Sequence, residues 1–179
     1  MWSMLFWMST AHSGTGPAED KRWRVVNDTV MGGVSTSVVT PHPEGGVVFS
    51  GELSLANNGG FTSTRTADIG ADWSGFDAIQ MTVIGDGRTY IASVYPKTGW
   101  PSRIYYRQPF ETEAGQALTV TLPLSDFEAY TYGTRRPDAA PLTEVAHRVG
   151  GIGVLLADKI AGPFSLRILR LEGVSDLEQ

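Results

Sequence analysis

Apolar side chains recur at every second residue through most of this chain, and that period leaves little freedom in what it can fold into. Successive side chains of an extended strand point to opposite faces, so alternation marks a half-buried strand, whereas a helix would need spacings of three and four. Val47, Phe49, Gly51, Leu53 and Leu55 fall on one face, with Val48, Ser50, Glu52 and Ser54 on the other. Leu118, Val120 and Leu122 alternate in the same way with Thr119 and Thr121. Similar runs cover 34–40, 61–66, 78–84, 89–95, 103–110, 151–157 and 164–171, bounded by Gly, Pro, Asn or Asp. In all, about ten strands are expected. Phe164, Leu166 and Ile168 share a face while Leu169 and Leu171 share the other, so a β-bulge near Ile168 is needed to restore burial. Gly85-Asp86-Gly87 reads as a hairpin turn between two strands. The stretch 126–147 reads as one long irregular connection, with one or two helical turns at 142–148. Many short strands without strand–helix alternation predict an all-β protein: an antiparallel jelly-roll-like β-sandwich, ahead of a closed barrel.

With 179 residues the chain suits one domain. The expected organisation is a leader over 1–20, a β-sandwich domain over 21–174 and a tail over 175–179. A formal net charge of −5 gives no general basic field, so nucleic acid is not an expected partner. The absence of Cys removes disulfides, thiolate metal sites and Cys nucleophiles. The apolar run Met1-Trp-Ser-Met-Leu-Phe-Trp-Met8 precedes the first basic residue, Lys21, so it lacks the positive flank of an export signal and is far shorter than a membrane span. No transmembrane segment is expected. The expected compartment is the cytoplasm, with export by an atypical N-terminal signal as the alternative.

Two turn motifs stand out as candidate sites. In Trp23 to Ser35, Val25 and Val26 suit a strand, Asn27 and Asp28 can bond their own backbone and end it, and Gly32-Gly33 admit positive φ. In Ser54 to Arg65, Asn57-Asn58-Gly59-Gly60 is a turn tolerant of left-handed geometry, after which Phe61 re-enters the core and Ser63 and Arg65 project together. An Arg on a strand beside a turn carrying Asp28 has two readings. Either Asp28 and Arg65 form an internal ion pair, or Arg65, Asn27, Asp28 and Asn58 line one polar pocket for a planar or hydroxylated group. Trp100, between Lys97 and Arg103, either folds onto the end of the sandwich or serves as a platform for a sugar ring or an apolar side chain. Arg103, Tyr105 and Arg107 alternate and share a face, which is either a solvated strand face or a polar groove extending from Trp100.

The motifs Trp23 to Ser35, Asn57-Asn58-Gly59-Gly60-Phe61 with Ser63 and Arg65, Gly85-Asp86-Gly87-Arg88-Thr89-Tyr90, Tyr106 to Phe110, Leu122-Pro123-Leu124 with Phe127, and Asp158-Lys159 with Gly162-Pro163-Phe164 occur together and in order. In them the chain resembles the complex I intermediate-associated protein 30 family over about Arg22 to Glu172. The resemblance implies a galactose-binding-like jelly roll and a non-catalytic binding module, an assembly factor whose partners are subunits or intermediates of a membrane complex, respiratory or photosynthetic. A carbohydrate-binding module of the same fold class is the alternative. No enzymatic activity, cofactor or metal is expected: His12, His42 and His147 belong to no spaced ligand or triad pattern. A structural cation at Asp28 or Asp158 is the one metal reading that the sandwich class suggests.

Overall fold

The alternating runs form two antiparallel sheets that face each other across one core. The computed structural model describes residues 16–17, 22–97 and 103–175. Its strands are β1 (Gly16–Pro17), β2 (Trp23–Asn27), β3 (Thr36–Pro41), β4 (Val47–Leu53), β5 (Thr62–Thr66), β6 (Ala78–Ile84), β7 (Thr89–Pro96), β8 (Tyr105–Glu111), β9 (Ala117–Pro123), β10 (Glu128–Thr131), β11 (Thr134–Arg135), β12 (Val149–Leu156) and β13 (Gly162–Val174). One sheet is six-stranded, in the order β3-β4-β13-β6-β9 with β1 also on β13, and the other is seven-stranded, in the order β11-β10-β8-β7-β12-β5-β2. Among the described residues, no helix is long and apolar enough to cross a membrane.

The inward faces carry the core that the alternation predicts. Phe49 and Leu53 of β4, Met81 of β6, Tyr90 and Val94 of β7 and Ile152 of β12 are buried. Each such side chain contributes about 1.5–3 kcal/mol relative to exposure. Phe49 meets Phe164 edge-on at 4.9 Å between ring centroids, joining β4 to β13. The expected bulge is present: Ile168 pairs with Val83 and Arg170 with Thr82, which leaves Leu169 over and returns Leu171 to the interior. Helix α1 (Leu142–Val145) and the 3-10 turn Ala146–Arg148 occupy the expected helical position.

Four expectations need correction. Gly85-Asp86-Gly87 is not a hairpin turn, because β6 and β7 lie in different sheets. It is a corner between the layers, fastened by Asp86, which accepts hydrogen bonds from Tyr90 Oη at 3.1 Å and from the Ser165 amide at 2.8 Å. The stretch 126–147 is not structureless: β10 and β11 form a hairpin whose turn residues, Tyr132 and Gly133, both have positive φ (47° and 79°). Leu55 lies beyond the end of β4 and is exposed rather than continuing its buried face. Strand pairing also starts earlier than the sequence suggests, since Gly16 and Pro17 pair with Leu171 and Arg170, upstream of the boundary expected at residue 21.

Candidate functional site

Asp28 heads a 3-10 turn directly after β2, and its side chain turns inward, where it is fully buried. Oδ1 accepts the Ser35 amide at 3.0 Å; Oδ2 accepts the Ser35 hydroxyl at 2.6 Å and the Gly60 amide at 2.7 Å, with the Phe61 amide at 3.4 Å. Burial pushes its pKa up, but the Ser35 hydroxyl and the amides of Gly60, Ser35 and Phe61 outweigh that and hold it below the ordinary carboxylate value. Asn27 is the neighbouring node: its Oδ1 lies 2.6 Å from Ser37 Oγ and 2.7 Å from Thr62 Oγ1. Asn57 and Asn58 take left-handed backbone (φ 56° and 58°), as their sequence predicts, and turn the chain so that the amides of Gly60 and Phe61 face Asp28.

This geometry overturns both readings of Asp28 with Arg65. Asp28 is satisfied by hydroxyl and amide donors, with no part taken by a guanidinium. The β2–β5 register places Asn27 opposite Thr62, three residues from Arg65, which is about 10 Å along a strand. Arg65 is exposed on the outer face and stacks on Tyr95, 5.4 Å from the ring centroid, whereas Thr62 and Thr64 point inward. Asn27 and Asp28 therefore build an internal lock between loops, the exposed Asn57 and Asn58 shape one of those loops through their backbone, and Arg65 belongs elsewhere. Neither cation reading survives the geometry: the Asp28 oxygens are filled by donors, and both Asp158 oxygens bond Arg88 at 2.7 and 2.8 Å. Among the described residues, no cluster of His, Asp and Glu could hold a metal.

A separate surface feature is a cleft across the outer face of the seven-stranded sheet. It has two lobes, about 760 Å³ and about 410 Å³, both lined by Tyr105, Arg107, Tyr132, Leu155 and Phe61, the last half-exposed here rather than in the core where the sequence placed it. The larger lobe adds Met31 and Leu55, two exposed apolar side chains, together with Lys159. The smaller adds Arg65, Tyr95 and Arg103. Arg103, Tyr105 and Arg107 thus share a face, as their alternation predicts. The Arg107 guanidinium lies over both Tyr105 (4.7 Å) and Tyr130 (5.3 Å), and Arg103 lies over Tyr132 (5.5 Å). Tyr105 also accepts the Gly133 amide at 2.8 Å, which fastens the β10–β11 turn to the cleft rim. Burial keeps the Tyr95 hydroxyl above its ordinary pKa even beside Arg107 and Arg65, so it stays neutral and cancels neither charge. Among the described residues, no Asp or Glu lines either lobe. Trp100 lies outside the described residues. Sequence reasoning passed over Tyr95, although alternation in β7 puts it on the outer face, and it passed over Met31, because only the tertiary fold brings that turn beside Leu155.

Comparison with known proteins fits this architecture. The family model described as complex I intermediate-associated protein 30 matches residues 12–168. The mitochondrial complex I intermediate-associated protein 30 of Mus musculus is 32% identical over 100 residues, which cover 54% of this chain and 30% of that relative. The chain thus spans under a third of that relative's length. Among solved structures, a family 11 carbohydrate-binding module of a cellulosomal cellulase of Clostridium thermocellum superposes with a TM-score of 0.65 at 14% identity, over 94% of this chain and 100% of that one. The Clostridium thermocellum family 11 module in complex with a β-1,3-1,4-mixed-linked tetrasaccharide gives 0.60 at 14% identity, over 87% and 91%. An agarase gives 0.56 at 10% identity, with 88% of this chain matching 23% of the enzyme. At these identities the structures show a shared jelly-roll sandwich fold.

Proposed function

The chain belongs to the complex I intermediate-associated protein 30 family, and from that premise we propose that it is a non-catalytic binding module whose cleft holds a segment of a partner protein, as an assembly factor for a respiratory or photosynthetic membrane complex would. The observation that carries this reading is the pair Arg65 and Arg107, held against tyrosine rings beside an apolar lobe. Tyr and Arg are the residues most enriched at energetic centres of protein interfaces, because both combine a large contact area with directed hydrogen bonding. The reading keeps the cytoplasm as the working compartment; the mitochondrial address belongs to the mouse relative.

A second reading has its own support. The tyrosine-lined outer sheet face, in a fold shared with a module bound to a tetrasaccharide, suits a carbohydrate. The cleft gathers Arg65, Arg103, Arg107 and Lys159 with no carboxylate among its described lining, however, and such a charge suits an anionic group better than a neutral sugar. Affinity capture from the protein's own cells decides between them. The wild type should retain subunits of a membrane complex, and the cleft variant Arg107→Gln with Met31→Ser should lose them. An identical set of captured proteins from both would overturn the proposal.

A further inference from the structure

The register of the seven-stranded sheet sets Arg65, Gly153, Ser93 and Arg107 opposite one another in a single row across β5, β12, β7 and β8. Adjacent strands lie ~4.8 Å apart, so the Cα atoms of the two arginines stand ~14 Å apart. The positions between them, Gly153 and Ser93, carry two of the smallest side chains and are buried beneath the arginine and tyrosine side chains around them, which form the surface there. Each charge is pre-oriented by aromatic rings: Arg65 by Tyr95, and Arg107 by Tyr105 and Tyr130. Neither forms an ion pair among the described residues, since Glu128, opposite Arg107 on β10, pairs with Arg135 instead, whereas Arg88, Arg135, Arg136, Arg167 and Arg170 all do. Arg107 Nε is, in addition, covered and without an acceptor among the described residues.

We propose that the occupant of the cleft is an extended acidic segment of a partner protein, with two carboxylates about four residues apart that meet Arg65 and Arg107, and an apolar side chain seated beside Met31 and Leu55. An extended chain advances ~3.3 Å per residue and returns to the same face at even spacings, so side chains at i and i+4 leave it ~13 Å apart and can reach two long arginine side chains rooted ~14 Å apart. The planar guanidinium matches a carboxylate in a forked pair, and stacking on a Tyr face uses none of its in-plane N–H groups. The apolar lobe adjoins Arg107, so one short segment can use both. This inference rests on the reading of the cleft as the protein-binding site and adds the chemistry of what enters it.

The test is calorimetric titration of the full chain with a synthetic peptide bearing two Glu at i and i+4 and a Leu beyond one of them. Its Gln twin and the mixed-linked tetrasaccharide serve as comparison ligands. The acidic peptide should bind, weaken as salt rises, and exceed its Gln twin by about tenfold or more. Arg65→Gln and Arg107→Gln should each weaken it about fivefold or more, Arg107→Lys should fall between, and Arg170→Gln, on the other sheet, should match wild type. Should Arg107→Gln fail to fold, the exposed Arg65→Gln still decides. Equal binding of the two peptides, indifference to both arginines, or silence of the acidic peptide would overturn the inference. Silence combined with loss of cellular capture by the cleft variant would leave the protein-binding reading standing. Silence with capture unchanged would remove both, and tetrasaccharide binding in place of peptide would favour the carbohydrate reading.

Discussion

A β-carbon on Gly33 would stand 2.3 Å from Cγ of Asp28, closer than any two such atoms approach, so the carboxylate occupies the space that the missing side chain leaves. Gly59 encloses it from the other side, where a β-carbon would fall 2.5 Å from Oδ2. The two glycines are set by this contact rather than by a strained φ, since neither has positive φ. Gly33→Ala and Gly59→Ala should each destabilise the protein by about 1–3 kcal/mol in chemical denaturation. A variant within error of wild type at either position would show that the loops separate at little cost.

Asp28→Ala removes the acceptor for buried donors on two loops and should cost about 3 kcal/mol. Arg65→Ala, on the exposed face, should stay within about 1 kcal/mol of wild type. The double variant should equal the sum of the singles to within about 0.5 kcal/mol, because the side chains share no partner. A larger coupling energy would mean that they interact after all.

The pH dependence of stability follows from the sign of the Asp28 shift. Its folded-state pKa is lowered, so its contribution is fully present above the unfolded value of about 3.9 and is lost as pH falls through the folded value. The Asp158 carboxyl, where burial opposes but the Arg88 bonds prevail, is lowered as well and acts in the same direction. The melting temperature should hold from neutrality to about pH 5 and fall below about pH 4. In Asp28→Asn the acid fall should be shallower, and a parallel profile would assign it to other carboxylates.

Arg88 and Asp158 form the one ion pair in which both side chains are largely buried among the pairs described, at 10% and 9% exposure. Arg88 also donates to the carbonyls of Ile160 and Pro163, so it ties the loop before β13 to the corner between the sheets. Arg88→Ala strands the Asp158 charge and should cost about 3–5 kcal/mol. Arg88→Lys should recover only part of this, since an ammonium cannot reproduce the fork. Full recovery by Lys would indicate that charge alone matters there.

Tyr105→Phe deletes the acceptor of the Gly133 amide while keeping the ring beneath Arg107. With about 1 kcal/mol for one such hydrogen bond, amide exchange at Gly133 should speed up about fivefold while stability barely changes. Unaltered exchange would mean that the turn is held by the β10–β11 ladder alone.

Features set by local geometry were legible in the residues themselves. The period of two is a property of the extended backbone, so it revealed the strands, the inward faces of Phe49 and Met81, the bulge after Ile168 and the shared face of Arg103, Tyr105 and Arg107. The left-handed turn at Asn57-Asn58 was legible for the same reason. Which strands lie side by side is decided by burying two whole faces at once, and no local pattern encodes it. For that reason Asp28 looked like a partner for Arg65 until the fold enclosed it with Ser35 and Gly60, and the turn at Asp86 looked like a hairpin until β6 and β7 entered different sheets. Residues 65, 93, 107 and 153 meet in one row only through three long-range strand pairings. The cleft is a product of tertiary structure: it joins Arg65, Arg103, Tyr105 and Arg107, which the sequence offered as site candidates, to Met31, Leu55, Tyr95 and Tyr132, which it did not.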